Sequence, residues 1–306
     1  MLVCASTTMT TTKRIMLGER GGVFTAIEKD DVQLLREKLS LPTSSPHYIN
    51  PNSRSDNSYG KTILSLACTH NAIKCVEYLL AHPDINVNGP DSHHRSTPFM
   101  DSCASARKSV VALLLKDARV DTAMRDDYGC SAMWWCLLNK ARGDEIDDVA
   151  EYFIASGRDL GSFSTPAFTM LYSGSIHDMW QNEKVDSKFR VTPRMKDILD
   201  RLALNPNKLR QELRIKHGFS QQDATDLFAS VVFLCDGLLT FNTHAITTCG
   251  TPFFFLIMKK LPMELQMIIC HRVYGSPKDS IPSHNSEPAF QRLAKFFRTT
   301  TTTKSK

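Results

Sequence analysis

Apolar residues from Asn57 to Asn88 recur at the three- and four-residue spacing of amphipathic helices. The segment divides into a glycine turn, a first helix containing the small residues Ala67 and Cys68, and a second helix with Val76 and Leu79 on one side. Small residues let the two helices approach closely, and the apolar side is available to pack on a neighbour. Two short helices cannot bury their apolar faces alone, so the pattern predicts companion units.

The same arrangement returns further along the chain. Thr62-Ile63-Leu64 is echoed by Thr97-Pro98-Phe99 after 35 residues, and by Ser131-Ala132-Met133 after another 34. The second helices repeat at matching offsets, as the apolar runs Val76 to Leu80 and Val111 to Leu115 show. A constant period of this length predicts a repeat architecture.

A turn precedes each predicted first helix. Gly60 and Gly129 suit a turn residue with positive φ, and Thr97-Pro98 combines a helix-capping hydroxyl with a proline where no N–H is needed. Arg95 stands where the second turn should carry its glycine. The middle turn is therefore expected to be irregular.

With a turn, two antiparallel helices and a period near 33 residues, the stretch from Gly22 to Gly161 resembles the ankyrin-repeat family. The resemblance implies an all-α fold in which about four repeats form a short solenoid over residues 21–162. The first copy, beginning at Gly22, is degenerate. A degenerate fifth copy starting at Ser164 and reaching residue 180 stays open.

The third unit departs from the ankyrin pattern, because Met100-Asp101-Ser102 replaces the usual His-Leu-Ala. Asp101 is then a polar residue near the helix core whose carboxylate is satisfied by neighbouring groups, or it belongs to a binding face.

The resemblance implies a non-catalytic scaffold that binds a protein partner on a concave surface of turn tips and inner helices. Trp134 and Trp135 are adjacent, so we expect one in the core and the other at this surface. The positions that point away from the repeat core in the family pattern are Tyr59, Lys61, His70, His93, His94, Ser96, Asp127, Tyr128 and Cys130.

Residues 190–298 lack the repeat period and predict a separate helical domain. Within it, Leu261-Pro262-Met263-Glu264-Leu265 resembles the opening of an F-box. That resemblance implies an alternative function, a substrate adaptor that recruits a Skp1-type ubiquitin ligase through a helix at 261–273. The other interpretation is an ordinary core helix started by a proline. The adaptor residues would be Leu261, Pro262, Glu264, Leu265 and Ile268.

Motifs for catalysis fail on inspection. Gly60-Lys61-Thr62 ends like a phosphate-binding loop, but Ser55 occupies the place of the required first glycine and no apolar strand precedes it. His93-His94 is an adjacent pair on a turn, where two histidines rarely converge on a metal without further ligands. We expect no catalytic residue, no cofactor and no metal site.

The composition indicates the cellular compartment and the kind of binding partner to expect. Nine scattered cysteines without a Cys-x-x-Cys pair favour buried thiols in a reducing, cytoplasmic or nuclear setting. We expect no signal peptide and no membrane segment, because the apolar run from Phe253 to Met258 stops at two lysines. The net charge of +5 concentrates between residues 194 and 216, where aromatic stacking residues are missing, so nucleic acid is not an expected partner. Residues 1–20 and 299–306 are predicted to be disordered.

Overall fold

A computed structural model describes residues 22–45, 47–55, 59–138, 144–164, 167–168, 173–176, 192–238 and 251–302. The chain divides into two compact domains, residues 1–201 and 202–306. The helices of the first domain begin with α1 Val23–Glu28, α2 Val32–Leu39, α3 Ile63–His70, α4 Ile73–Leu80, α5 Pro98–Ala104, α6 Lys108–Lys116, α7 Ala132–Leu138 and α8 Asp144–Ser156.

These helices form four antiparallel pairs in two layers. The first helices α1, α3, α5 and α7 pack on one another in order, and the second helices α2, α4, α6 and α8 do the same. Each pair is also closed within itself, α1 on α2 through α7 on α8. The predicted helical class is confirmed, and the pairs follow the period read from the sequence.

Threonine side chains cap α3 and α5, and buried aromatic rings pack between successive pairs. Thr62 Oγ1 accepts the Ser65 N–H at 3.1 Å, and Thr97 Oγ1 accepts the Met100 N–H at 3.3 Å, so both first helices begin at the predicted residues. Phe99 and Phe153 meet edge to face with ring centroids 5.0 Å apart, and both side chains are fully buried. Burial between successive pairs is what makes each unit depend on the next.

Two asparagines also tie neighbouring units together. Asn52 Nδ2 donates to the Asp84 carbonyl at 2.8 Å, and its Oδ1 accepts the Asn86 N–H at 2.7 Å. Asn88 repeats both contacts one unit later, with the Arg119 carbonyl and the Asp121 N–H, each at 2.8 Å. Each side-chain amide thus satisfies two backbone groups of the following unit.

The first domain, residues 1–201, continues beyond α8. A short hairpin pairs β1 Ala167–Phe168 with β2 Ser173–Gly174 antiparallel, and α9 Pro193–Leu204 follows. The start of α9 is fixed on α8: Thr192 Oγ1 lies 2.7 Å from Asp147 Oδ2, and Arg194 Nε donates to Glu151 Oε1 at 2.8 Å. Residues 192–201 therefore belong with the repeats, although the sequence assigns them to the following domain.

The second domain, residues 202–306, is built around one central helix. Its elements are α10 Pro206–Lys216, α11 Phe219–Cys235, α12 Thr251–Met258, α13 Met263–Val273 and α14 Ser283–Thr302. α11 packs against the other four helices. Phe228, Val231, Met258 and Cys270 are among the buried residues of its core.

The structure corrects two further predictions about the fold, and two other predictions fall on residues outside the described part of the chain. The possible fifth repeat has no first helix at Ala167, because Ala167 and Phe168 pair as a strand with Gly174 and Ser173. Residues 299–302 are helical and not disordered, since extending an established helix costs little free energy. The predicted disordered segment 1–20 and the last residues, 303–306, lie outside the described part of the chain.

Candidate partner-binding site at the turn tips

Buried aspartates shape the turns that precede α5 and α7. Asp91 Oδ1 accepts the N–H groups of His93 and His94 at 2.9 and 2.7 Å. Asp126 Oδ1 does the same for Tyr128 and Cys130 at 3.0 and 2.8 Å. Each carboxylate replaces hydrogen bonds that the turn backbone cannot make itself, so the tip is held in one conformation.

The turns also need residues with left-handed backbone. Gly60 has φ +66° and Gly129 has φ +78°, and Arg95 takes the equivalent place with φ +56°. An arginine in this region is strained where glycine is not. Arg95 Nε lies 3.6 Å from Asp127 Oδ1, and both side chains are more than half exposed, so this ion pair contributes little stability.

One aromatic ring per unit precedes the left-handed residue, at Tyr59, His94 and Tyr128. The ring centroids of Tyr59 and His94 are 5.9 Å apart, and those of His94 and Tyr128 are 5.2 Å apart. Tyr128 Oη lies 3.0 Å from His94 Nδ1, within hydrogen-bonding distance. His93 adds a fourth ring, 5.7 Å from Tyr59. We call Tyr59, His94 and Tyr128 the aromatic ladder.

A cavity of about 190 Å³ opens beside the ladder. Trp135 is half-buried at this cavity, and its Nε1 donates to Asp126 Oδ2 at 2.9 Å. Trp134, its neighbour, is fully buried, so the expected division between core and surface holds. The lining residues are Tyr59, Lys61, Asp91, His94, Ser96, Asp101, Ala104 and Trp135.

An ion pair forms part of the cavity wall. Lys61 Nζ donates to Asp101 Oδ1 at 2.8 Å and also lies 3.3 Å from Thr69 Oγ1. Asp101 is buried, and the Ser65 hydroxyl of α3 also interacts with its carboxyl group. Burial raises the pKa of the Asp101 carboxyl above its usual range, while the charge of Lys61 opposes that shift. The carboxyl group thus has partners on the turn before α3, at Lys61, and on α3 itself, at Ser65.

Asp126 shows the same balance on the other side of Trp135. Burial raises the pKa of this carboxyl, and the hydrogen bonds from the Cys130 N–H and the Trp135 indole oppose the rise. The pKa of each carboxyl group therefore stays raised although each has hydrogen-bonding partners.

The structure brings most of the predicted partner-binding residues together. Tyr59, His93, His94, Asp127 and Tyr128 lie at the turn tips, and Lys61 and Ser96 line the cavity. The sequence gives one signal for Asp126 and Trp135. Asp126 lies 35 residues after Asp91, and Trp135 lies 34 residues after Asp101, so the repeat period makes them counterparts.

Two predicted contact residues lie elsewhere. Cys130 is fully buried, and its backbone N–H is held by Asp126, so it has no surface to offer a partner. His70 lies at the end of α3, where its ring meets Phe24 edge-on at 5.5 Å and its Nδ1 is 3.0 Å from the Leu66 carbonyl. It stays exposed but is separate from the ladder in these contacts.

The predicted adaptor helix corresponds to α13 in the second domain. Pro262 is its N-cap residue, and Glu264 and Leu265 are exposed in the first turn. Leu261 is half-buried against the core, and Ile268 is half-buried one turn further on. Gln266 is buried and donates to the Met258 and Leu261 carbonyls, both at 2.9 Å, which fixes the connection from α12.

Comparison with known families identifies one ankyrin repeat, matched over residues 59–89. This segment contains α3, α4 and the turn that carries Tyr59 and Lys61. No curated protein matches the chain. Among the described residues, no group of histidine, cysteine, aspartate or glutamate side chains is arranged to hold a metal ion. None of the described helices is long and apolar enough to cross a membrane.

Proposed function

We propose that this protein is a non-catalytic scaffold whose turn tips bind a protein partner. The observation that carries the proposal is the aromatic ladder, in which Tyr59 is 62% exposed and the rings of His94 and Tyr128 continue from it at contact distance. Tyrosine and tryptophan side chains dominate binding energy at protein interfaces because they bury large, rigid surfaces. The matched ankyrin repeat supports an interaction module, since such repeats generally bind proteins.

The arrangement of the ladder supports recognition of a protein surface. Its three rings occupy equivalent positions in successive units, so they share one side of the repeat stack. The hydrogen bonds to Asp91 and Asp126 hold the tips before any partner arrives, which reduces the ordering cost of binding. Arg95 and Asp127, whose side chains are more than half exposed, place polar groups beside the rings, as at the rim of an interface.

The test is affinity capture with the full chain from the cells that express it, followed by mass spectrometry. The double variant Tyr59→Ala/Tyr128→Ala removes both tyrosines of the ladder. The matched control is Tyr78→Ala, which removes a half-buried tyrosine of α4 beside Arg36. We expect a defined set of proteins to be lost with the double variant and kept with the control. Capture of the same set by all three chains would refute the proposal.

A second candidate function is the ligase adaptor, and the exposure of apolar residues on α13 favours it. Met263 is 58% exposed and Leu265 is 45% exposed, whereas Gln266 and Cys270 on the same helix are buried. A helix whose first turn exposes apolar side chains while Gln266 and Cys270 anchor it in the core suits docking onto a partner. Glu264 in the first turn complements the helix dipole.

The adaptor proposal is tested by recovery of purified Skp1 on the full chain. The variant Met263→Asp/Leu265→Asp should abolish recovery, because it replaces both exposed apolar side chains of the first turn with charges. Val273→Asp is the control, since Val273 is 53% exposed at the far end of the same helix. If the unaltered chain recovers no Skp1, the adaptor function is wrong, and the scaffold proposal is unaffected.

A further inference from the structure

The cavity beside the aromatic ladder has the size of one side chain. Its volume of about 190 Å³ is below the roughly 300 Å³ at which pockets for drug-sized molecules begin. It is bounded by three successive repeat units, because Tyr59 and His94 lie on two successive turns and Trp135 lies on α7 of the next unit. A partner lying across the turn tips would pass over its mouth.

The lining is negatively charged. Two carboxylates, Asp91 and Asp101, face one ammonium, that of Lys61, which leaves a net charge of −1 when His94 is counted as neutral. A third carboxylate, Asp126, stands behind the Trp135 indole. Lys61 is paired with Asp101, so its single ammonium leaves the other carboxylate of the lining, Asp91, without a cation from the cavity wall.

Aromatic rings complete the cavity, since Tyr59 and Trp135 both line it. The face of an aromatic ring attracts a cation within about 6 Å, and the attraction is strongest for tryptophan. An apolar guest would displace water from two carboxylates and return no charge, which is unfavourable. A cationic guest gains from both the carboxylates and the rings.

We propose that this cavity receives a lysine or arginine side chain of the protein partner. The inference rests on the proposed scaffold function and assigns the chemistry of its central contact. The ammonium or guanidinium lies between the rings of Tyr59 and Trp135 and close to Asp101. The ladder then supplies the flanking contacts to the partner backbone and neighbouring side chains.

The test is a titration of the full chain with single blocked amino acids, followed by the indole N–H signal of Trp135 in nitrogen-15 NMR. The variant Trp135→Phe assigns that signal. The probes are Nα-acetyl-arginine methylamide and Nα-acetyl-lysine methylamide. Nα-acetyl-citrulline methylamide is the matched control, because it keeps the shape of arginine and lacks its charge.

We expect a saturable shift with arginine, lysine or both, with a Kd of the order of 1 to 10 mM for so small a ligand. Citrulline should bind at least tenfold more weakly. The ratio of the arginine and lysine constants identifies the preferred side chain. Filling the cavity with Ala104→Met should abolish the shift, whereas Ala81→Met, at an exposed residue after α4, should leave it unchanged.

Equal binding of citrulline and arginine would overturn the inference, and so would the absence of any shift with both cationic probes. Neither result touches the scaffold proposal if the Tyr59→Ala/Tyr128→Ala variant still loses its captured proteins. Conversely, a positive titration with unchanged capture would leave the cavity assigned and the scaffold proposal refuted.

Discussion

Lys61 Nζ lies 2.8 Å from Asp101 Oδ1, although the two residues are forty positions apart in the sequence. Their side chains are 17% and 9% exposed, so the pair is shielded from bulk water. Lys61 follows the turn before α3, and Asp101 lies on α5. The ion pair therefore joins two successive units at the edge of the proposed binding cavity.

Breaking this pair from one side should cost more than removing it. Lys61→Met leaves a buried carboxylate without its cation, and we expect a loss of about 3 kcal/mol in the free energy of unfolding. The double variant Lys61→Met/Asp101→Leu should recover most of that loss, because apolar side chains of similar size replace both charges. Urea unfolding of the wild type, both single variants and the double variant gives the coupling energy. Additive losses would contradict a direct interaction.

The pH dependence of stability should reveal the buried carboxyl of Asp101. Burial raises its pKa in the folded state, so its stabilising effect is fully present below the unfolded value of about 3.8 and is lost as pH rises through the folded pKa. Asp101→Asn removes this loss, so its stability relative to the wild type, measured by urea unfolding, should increase between pH 3 and pH 7.

Asp117 provides a control of opposite sign for that measurement. Hydrogen bonds from Arg119 lower the pKa of its carboxyl, so the stabilising effect is present above the unfolded value and is lost as pH falls through the folded pKa. Asp117→Asn should therefore be less stable than the wild type near pH 7, and the gap should close on acidification. Parallel pH profiles for the two variants would contradict both assignments.

The asparagine contacts between units should be measurable one at a time. Asn88→Ala removes hydrogen bonds to the Arg119 carbonyl and the Asp121 N–H, and we expect a loss of about 1 to 2 kcal/mol in unfolding free energy. Asn50→Ala is the control, because it removes one local hydrogen bond to the Asn52 N–H. Chemical denaturation should show less than half the loss for the control.

Replacing the strained turn arginine should stabilise the protein. Arg95 has φ +56°, and Arg95→Gly relieves a left-handed conformation that costs an L-residue roughly 1 to 2 kcal/mol. Glycine gives back part of this gain through its greater freedom in the unfolded chain, so we expect a net increase of about 0.5 to 1 kcal/mol. A higher thermal midpoint in calorimetry would show it. A lower midpoint would mean that the exposed pair with Asp127 contributes more than such pairs usually do.

The equivalent turn at Gly60 should tolerate no side chain. A Cβ atom there would lie 2.3 Å from Ser92 Oγ and 2.5 Å from Ser92 Cβ, whereas a Cβ atom at Gly157 meets no atom within 4 Å. Both glycines have positive φ, so Gly157→Ala should cost about 1 kcal/mol and Gly60→Ala about 2 to 4 kcal/mol. Combining Gly60→Ala with Ser92→Gly should bring the two losses, measured by urea unfolding, close together.

The paired helices could be predicted because their signals are local. Apolar spacing, threonine caps and a constant period appear directly in the printed sequence, and α3 to α6 follow them closely. The register of Tyr59, His94 and Tyr128 is visible in the same way. The two-residue strand at Ala167 escaped prediction, because Thr165-Pro166 also suits a helix start.

The cavity could be predicted only in part, because its lining depends on contacts between units. The repeat pattern marks Asp101 as unusual, but nothing local in the sequence indicates that Lys61 supplies its counter-charge. Cys130 occupies the position equivalent to Lys61 and Ser96 and was assigned to the surface for that reason. Cys130 is buried instead, because its side chain is small and apolar and its backbone N–H donates a hydrogen bond to Asp126.

The contacts of Arg194 with α8 decide where a recombinant repeat fragment should stop. A fragment that ends at residue 162 keeps Glu151, which is 2% exposed, and loses the guanidinium that lies 2.7 Å from its carboxylate. It also loses the hydroxyl of Thr192 beside Asp147. If such a fragment aggregated, the loss of the Arg194 and Thr192 contacts would explain it without any defect in the repeats themselves. Expression of the array through Arg201 avoids that ambiguity.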